Sequence, residues 1–405
     1  MPMPLAPRDE ADLVEIVRAA RVVRTPLALE GRGTRRALGR PVEAEKTLTF
    51  AGLSGITLYE PAELVMTALP GTPLSEIRAT LAANGQELAF DPIEHTALYG
   101  HTPGATSIAA AFAINASGPR RPKLGAARDH LLGFRAVNGL GESFKSGGRV
   151  MKNVTGFDLS KVVCGSFGTL AALTEVTFKV MPAPETTETL VLLDLDDETA
   201  GRVMREASGL PQEVDAYAHL PANVDGPVPG RAATLLRLDG PKVSVESRKA
   251  TLIARFRALG EATHLDADAS RTLWTAIREA APIAARPGPI WRLSLTPSDG
   301  PKVVAALKDA GLPLDAWIWD WAGGLVWLAL ASDAAPEAAR LRAVVDCFGG
   351  HAFLVRADEA TRRAEPVFHP QPAPLAALAA RVKRAFDPDG IFSPGRMAPI
   401  ATTEA

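Results

Sequence analysis

The residues best suited to chemistry lie in the first half of the chain, and most of them are glycines. Gly31-Arg32-Gly33-Thr34 follows a short apolar run, Leu27 to Leu29. Successive backbone N–H groups in such a turn make a concave anion site of the size a pyrophosphate needs. A plain turn after a strand is the alternative reading of the same four residues. The spacing is not the dinucleotide fingerprint, because Arg36 stands where the third glycine of G-x-G-x-x-G belongs. A second stretch, Thr102 to Gly118, is built almost entirely of small side chains, which lets a backbone approach something large and flat. A tightly packed small-residue helix would use the same composition. A third runs from Gly147-Gly148 to Asp158 and is followed by Gly165-Ser166-Phe167-Gly168-Thr169-Leu170 and on to Val176. Three glycine-rich stretches in one region favour a shared ligand over three unrelated turns.

Composition narrows the classes of function. With 44 basic and 46 acidic side chains the chain carries a formal charge of −2, so no electrostatic excess favours nucleic acid. Two cysteines, Cys164 and Cys347, cannot hold an iron–sulfur cluster, so any one-electron relay must sit on another chain. The same pair, with no secretory opening and no run of 18 apolar residues, points to a cytoplasmic protein without a transmembrane segment. Glycine and proline are abundant, 34 and 33 of 405 residues, which excludes a coiled coil. The length suits two or three folded units.

Helices and strands must position these loops. Leu13, Ile16, Val17 and Ala20 mark one face of a helix behind a cap at Asp9. Strands are expected at Leu27–Leu29, Thr47–Phe50 and Leu64–Leu69, and a second helix is expected behind Thr72-Pro73 as cap and first position. Met181-Pro182-Ala183-Pro184 reads as a stiff exit from this region. Beyond it, strands near Thr189–Leu193, Ala233–Leu238, Trp291–Leu295 and Leu325–Ala331 alternate with helices near Val245–Leu259 and Pro301–Ala310. That alternation predicts a mixed sheet covered on one face. A last helix, Leu375–Phe386, precedes two turns, Asp387-Pro388-Asp389-Gly390 and Ser393-Pro394-Gly395-Arg396.

Taken together, Gly31–Thr34, Thr102–Gly118 with Pro119-Arg120-Arg121, Asp129–Val137, Lys152–Asp158 and Gly165–Val176 resemble the PCMH-type FAD-binding domain of the vanillyl-alcohol-oxidase family. Further likeness lies at Pro289–Ser294, at Trp321–Gly324 with Trp327, and at Phe386–Met397, and within the family it is to the flavin-binding E subunits of bacterial glycolate oxidases. The resemblance implies an α+β fold: a two-subdomain PCMH-type FAD-binding domain over 1–184, an α/β cap domain over 185–360, and a C-terminal segment, 361–405, returning to the flavin domain. It implies non-covalent FAD, since Thr34 has no histidine beside it to form a covalent link. By position, Gly31, Arg32, Gly33 and Thr34 would hold the pyrophosphate. Pro103, Gly104, Ala105, Thr106, Ile108, Ala109, Ala110, Ser117 and Gly118 would line the pyrophosphate and ring, and Gly168, Thr169 and Leu173 would approach the adenosine half. Ala109-Ala110 replaces a usual double glycine, Ala171 a usual glycine and Ser393 a usual asparagine.

For function, the resemblance implies an FAD-dependent oxidoreductase subunit of a complex that takes glycolate to glyoxylate. Its partners would be a sister flavoprotein and an iron–sulfur subunit, through which it would be peripheral at the inner membrane. Two alternatives stay open: a free-standing FAD oxidase or dehydrogenase of a small 2-hydroxy acid or alditol, and a non-catalytic assembly subunit without flavin. Oxidation of a hydroxy acid needs a base near the hydroxyl and a cation for the carboxylate. His369 is the candidate base, Arg292 a candidate carboxylate clamp, and Arg396 a candidate for the flavin's electron-rich edge. A packed histidine and structural arginines are the competing readings. No metal-binding histidine and acidic motif is found.

Overall fold

A computed structural model describes residues 3–149 and 157–400 and divides the chain into two compact units. The first comprises Met1–Ser117, Gly125–Ala183 and Pro370–Ala405; the second comprises Gly118–Leu124 and Pro184–His369.

The first unit opens with the helix Glu10–Val22, whose cap is Asp9: the side chain accepts from Asp12 N at 2.8 Å. Its apolar face, Leu13, Val17 and Ala20, packs on a parallel pair, Leu27–Glu30 with Lys46–Thr49. The C-terminal segment joins this pair. Leu27 N donates to Ile391 O and Ser393 N to Leu27 O, both at 2.8 Å, so Ile391 and Phe392 complete the core. A five-stranded antiparallel sheet follows, in the order Ile56–Glu60, Val65–Ala68, Ala171–Lys179, Leu131–Asn138, Ser143–Gly147. Its core includes Ile77 and Leu81 from the helix Leu74–Ala82 and Phe112 from the helix Ile108–Ala113. Thr72 does not cap the first of these helices. Its hydroxyl donates to Leu69 O and Gly55 O and accepts from Gly55 N, and Pro73 takes the cap position.

The second unit is an eight-stranded antiparallel sheet in the order Ala262–Leu265, Thr186–Leu193, Ala233–Gly240, Ala216–Leu220, Leu314–Asp320, Leu325–Leu330, Ile290–Ser294, His351–Arg356. At the strand Thr186–Leu193 helices lie on both faces, where the sequence leads one to expect cover on one. Successive strand residues point to opposite faces. Leu190 and Leu192 join a core with Leu252 and Phe256 of the helix Lys242–Phe256. Thr189, one residue before Leu190, bonds Ser270 and accepts from Trp274 Nε1, both at 2.9 Å, in the helix Ala267–Arg278.

Candidate functional site

The strand Leu27–Glu30 ends at a loop that folds back on itself because Glu30 takes Arg36 Nε and Nη2 through both carboxylate oxygens, at 2.7–2.9 Å. Gly33 supplies the positive φ, +73°, that the turn requires. Thr34 Oγ1 lies 3.1 Å from Thr106 Oγ1, and Arg35 donates to Ala110 O and Ile93 O, tying the loop to the second small-residue stretch. Arg396 closes it from the other side, donating through one nitrogen to Leu38 O at 2.7 Å and to Arg36 O and Arg40 O at 3.2 Å.

The second stretch turns into the helix Ile108–Ala113 with Ser107 at its cap. Gly31 is pressed against it: a Cβ there would fall 2.0 Å from Ser107 Oγ. Ala113 O accepts from Gly165 N at 3.0 Å and Phe167 N at 2.9 Å, which seats the third loop against the end of that helix. Phe167 and Gly168 have φ of +55° and +70°, and Thr169 Oγ1 fastens the turn to Ser166 O at 2.7 Å. Lys383 holds the same turn from the C-terminal segment. Its ammonium donates to Thr169 O at 2.6 Å, to Phe392 O at 3.1 Å and to the buried carboxylate of Asp387. Burial lowers the Lys383 pKa and Asp387 works against that shift.

Between the three stretches lies a hollow of about 800 Å³, part of it open to solvent. Of the residues singled out in the sequence, Gly31, Arg32, Gly33, Thr34, Ala109, Ala110, Gly168, Leu173 and Arg396 line it. Pro103, Gly104, Ala105, Thr106, Ile108, Ser117, Gly118 and Thr169 do not. Gly104 answers a different demand, since a Cβ there would meet Ser75 Cβ at 2.7 Å. Ser117 Oγ accepts from Ala127 N and donates to Asn115 O, while Gly118 belongs to the second unit, where Trp321 Nε1 bonds its carbonyl at 3.0 Å. Val150–Gly156, the middle of the Gly147–Asp158 stretch, lie outside the described residues.

Sequence reasoning missed the apolar walls Leu29, Leu38 and Phe50, while Ala113, Ile114 and Phe167 fall within the stretches it singled out. It also missed Arg35, whose partners are remote in sequence. His369 and Arg292 sit in the second unit. His369 Nδ1 accepts from Ala352 N at 3.2 Å, and Nε2 lies 2.9 Å from Asp346, so both nitrogens are engaged within that unit. Burial lowers the His369 pKa, opposed by Asp346.

The hollow suits a flavin dinucleotide on two counts. Its charged lining is Arg32, Arg35, Arg36 and Arg396 against Glu30, a positive balance that favours a pyrophosphate. Ser107 Oγ, beside Gly31, is buried without a hydrogen-bond partner, the kind of orphan that a bound polar group satisfies.

Fold and hollow define a flavoprotein of the FAD-linked type. The FAD binding domain family matches residues 3–147, and the C-terminal domain of FAD linked oxidases matches residues 371–397. The chain belongs to the PCMH-type FAD-binding family of FAD-linked oxidoreductases, and its cofactor is FAD. Among individual proteins it is similar to the glycolate oxidase subunit GlcE of Escherichia coli (strain K12), with 35% identity over 95% of this chain and 96% of that one. It is also similar to the glycolate oxidase subunit GlcD of Bacillus subtilis (strain 168), at 27% identity over 60% of this chain and 52% of that one. Of solved structures, p-cresol methylhydroxylase with substrate bound shares the fold, with a TM-score of 0.70 at 15% identity, covering 97% of this chain and 88% of the other. Alkyldihydroxyacetonephosphate synthase gives 0.65 at 16% identity, covering 96% and 75%.

Proposed function

We propose that the chain is the FAD-binding subunit of a glycolate-oxidising complex, taking part in conversion of glycolate to glyoxylate and passing electrons to an iron–sulfur partner. The observation that carries this reading is the end-to-end similarity to a glycolate oxidase subunit, combined with a hollow walled by the three small-residue stretches. FAD, when bound, supplies the two-electron acceptor for oxidation of a hydroxy acid. The chain's own residues bind and orient it. Amides of Gly31–Thr34 would hold the pyrophosphate, Ser107 Oγ would gain a polar partner, and Gly168, Ala171 and Leu173 would leave room for the cofactor. Binding is non-covalent, because the loop offers no histidine next to Thr34.

Among the described residues no group of His, Cys, Asp and Glu could hold a metal ion, and no helix is long and apolar enough to cross a membrane. The test is co-expression with a GlcD-type flavoprotein and an iron–sulfur subunit. Glycolate should reduce the flavin of the assembled complex and leave the flavin of the isolated chain oxidised. Bleaching of the isolated chain by glycolate would instead make it a free-standing enzyme, and absence of flavin from it would make it an assembly subunit.

A further inference from the structure

We propose that Arg292, Arg121 and Trp321 form a recognition site for the carboxylate of a small organic acid, a reading that rests on the hydroxy-acid oxidation proposed above. All three residues belong to the second unit. Arg292 stands in the middle of the strand Ile290–Ser294, opposite Trp327 on one neighbouring strand and Phe353 on the other. Its guanidinium lies deep in the unit, yet the residue keeps part of its surface open to solvent. Its contacts are Ser294 Oγ at 3.4 Å and the faces of Trp321 and Trp327, 5.0 and 5.9 Å from the ring centroids. Among the described residues no carboxylate lies within 4 Å of it.

A buried cation is stable when paired and costly when it is not. Here a second cation adds to the cost: Arg121 lies 4.6 Å from the centroid of the same Trp321 ring. Burial first, and then Arg121, push the Arg292 pKa down to about 10, while Asp320 acts in the opposite direction. The segment bearing Arg121 is fixed at three points. Arg120 meets Asp239 at 3.4 Å, Lys123 meets Asp215 at 2.8 Å, and Gly118 O takes the Trp321 indole. Trp321 and Ala322 are held at φ of +53° and +57°, with Asp320 accepting from Trp321 N at 2.7 Å. A bulky side chain in that region is strained, and such strain persists where surrounding structure holds it, often at ligand sites. Two guanidiniums fixed about one indole, one of them lacking a carboxylate, are an arrangement that a planar bidentate anion completes.

The test is a titration of the FAD-loaded full chain with oxalate, read by calorimetry and by quenching of tryptophan emission. The wild type should bind one equivalent. Arg292→Met and Arg121→Met should each weaken binding at least tenfold with flavin content unchanged, and Arg292→Lys, which keeps charge but loses the fork, should weaken it as well. Without oxalate, Arg292→Met should melt no lower than the wild type, because it removes a buried cation from beside another. Absence of saturable oxalate binding to the wild type, or wild-type affinity in Arg292→Met, overturns the proposal. So does displacement of oxalate by an equal concentration of inorganic phosphate, or a fall in Tm accompanying the loss of binding, which marks a structural role. Failure of the glycolate reaction in the assembled complex is a separate readout and bears on the proposed function alone.

Discussion

Gly168 separates the two demands a flavin loop can make, on backbone shape and on empty space. Its φ of +70° costs an L-residue about 1–2 kcal/mol whatever the side chain. The space beside it is ample at first: a Cβ would meet only Leu29 Cβ, at an ordinary 3.6 Å. Gly168→Ala should therefore lose about 1 kcal/mol of stability and retain most of its flavin. Gly168→Phe incurs the same backbone cost and also sends a ring into the hollow lined by Leu29, Phe167 and Leu173. If FAD lies there, its dissociation constant should rise at least a hundredfold, about 2.7 kcal/mol. The assay is the flavin-to-protein ratio after gel filtration, followed by FAD titration of the apoprotein and thermal melts of all three proteins. Wild-type affinity in Gly168→Phe would refute the reasoning, as would equal flavin loss in the alanine and phenylalanine variants.

Three further outcomes follow from the geometry. Ser107→Ala removes a buried hydroxyl that has no partner, so flavin-free protein should gain about 1 kcal/mol while FAD binding weakens, measured by paired melts and titrations. Lys383→Met strands the buried Asp387 carboxylate and frees Thr169 O; denaturant unfolding should show a loss of about 3 kcal/mol, with FAD retention falling in parallel. Burial pushes the Cys164 thiol up to about 12. From its ordinary value of 9.0 upward the unfolded chain releases this proton while the folded chain keeps it. Stability from this group is therefore complete below pH 9 and declines by at most about 1.4 kcal/mol per pH unit up to about 12. Subtracting the pH–stability curve of Cys164→Ala from that of the wild type should reveal this decline. A flat difference would contradict the assignment.

The parts of the site visible in the sequence are those where backbone alone does the work. Gly31–Thr34 and Gly168 could be read because a missing side chain after a strand is itself a signal. Pro103–Ala105 misled for the same reason: Gly104 is small to let Ser75 approach, which is a packing demand with the same sequence signature. Arg35 and Arg396 shape the walls through carbonyls of Ile93, Ala110 and Leu38, and pairings so remote leave no local trace. In the second unit the strand Ala216–Leu220 escaped detection because Ala-Tyr-Ala-His-Leu holds no β-branched residue and only one aromatic, so it lacks the composition that marks a strand. Thr72 had the right residue type for a cap, but nearer carbonyls claimed its hydroxyl.

The most direct measurement is a crystal structure of the FAD-loaded chain. The account predicts pyrophosphate density against the amides of Gly31–Thr34, within hydrogen-bond reach of Ser107 Oγ, with the cofactor passing Gly168. Pyrophosphate density elsewhere, with this hollow filled by water or by the protein's own side chains, would contradict it.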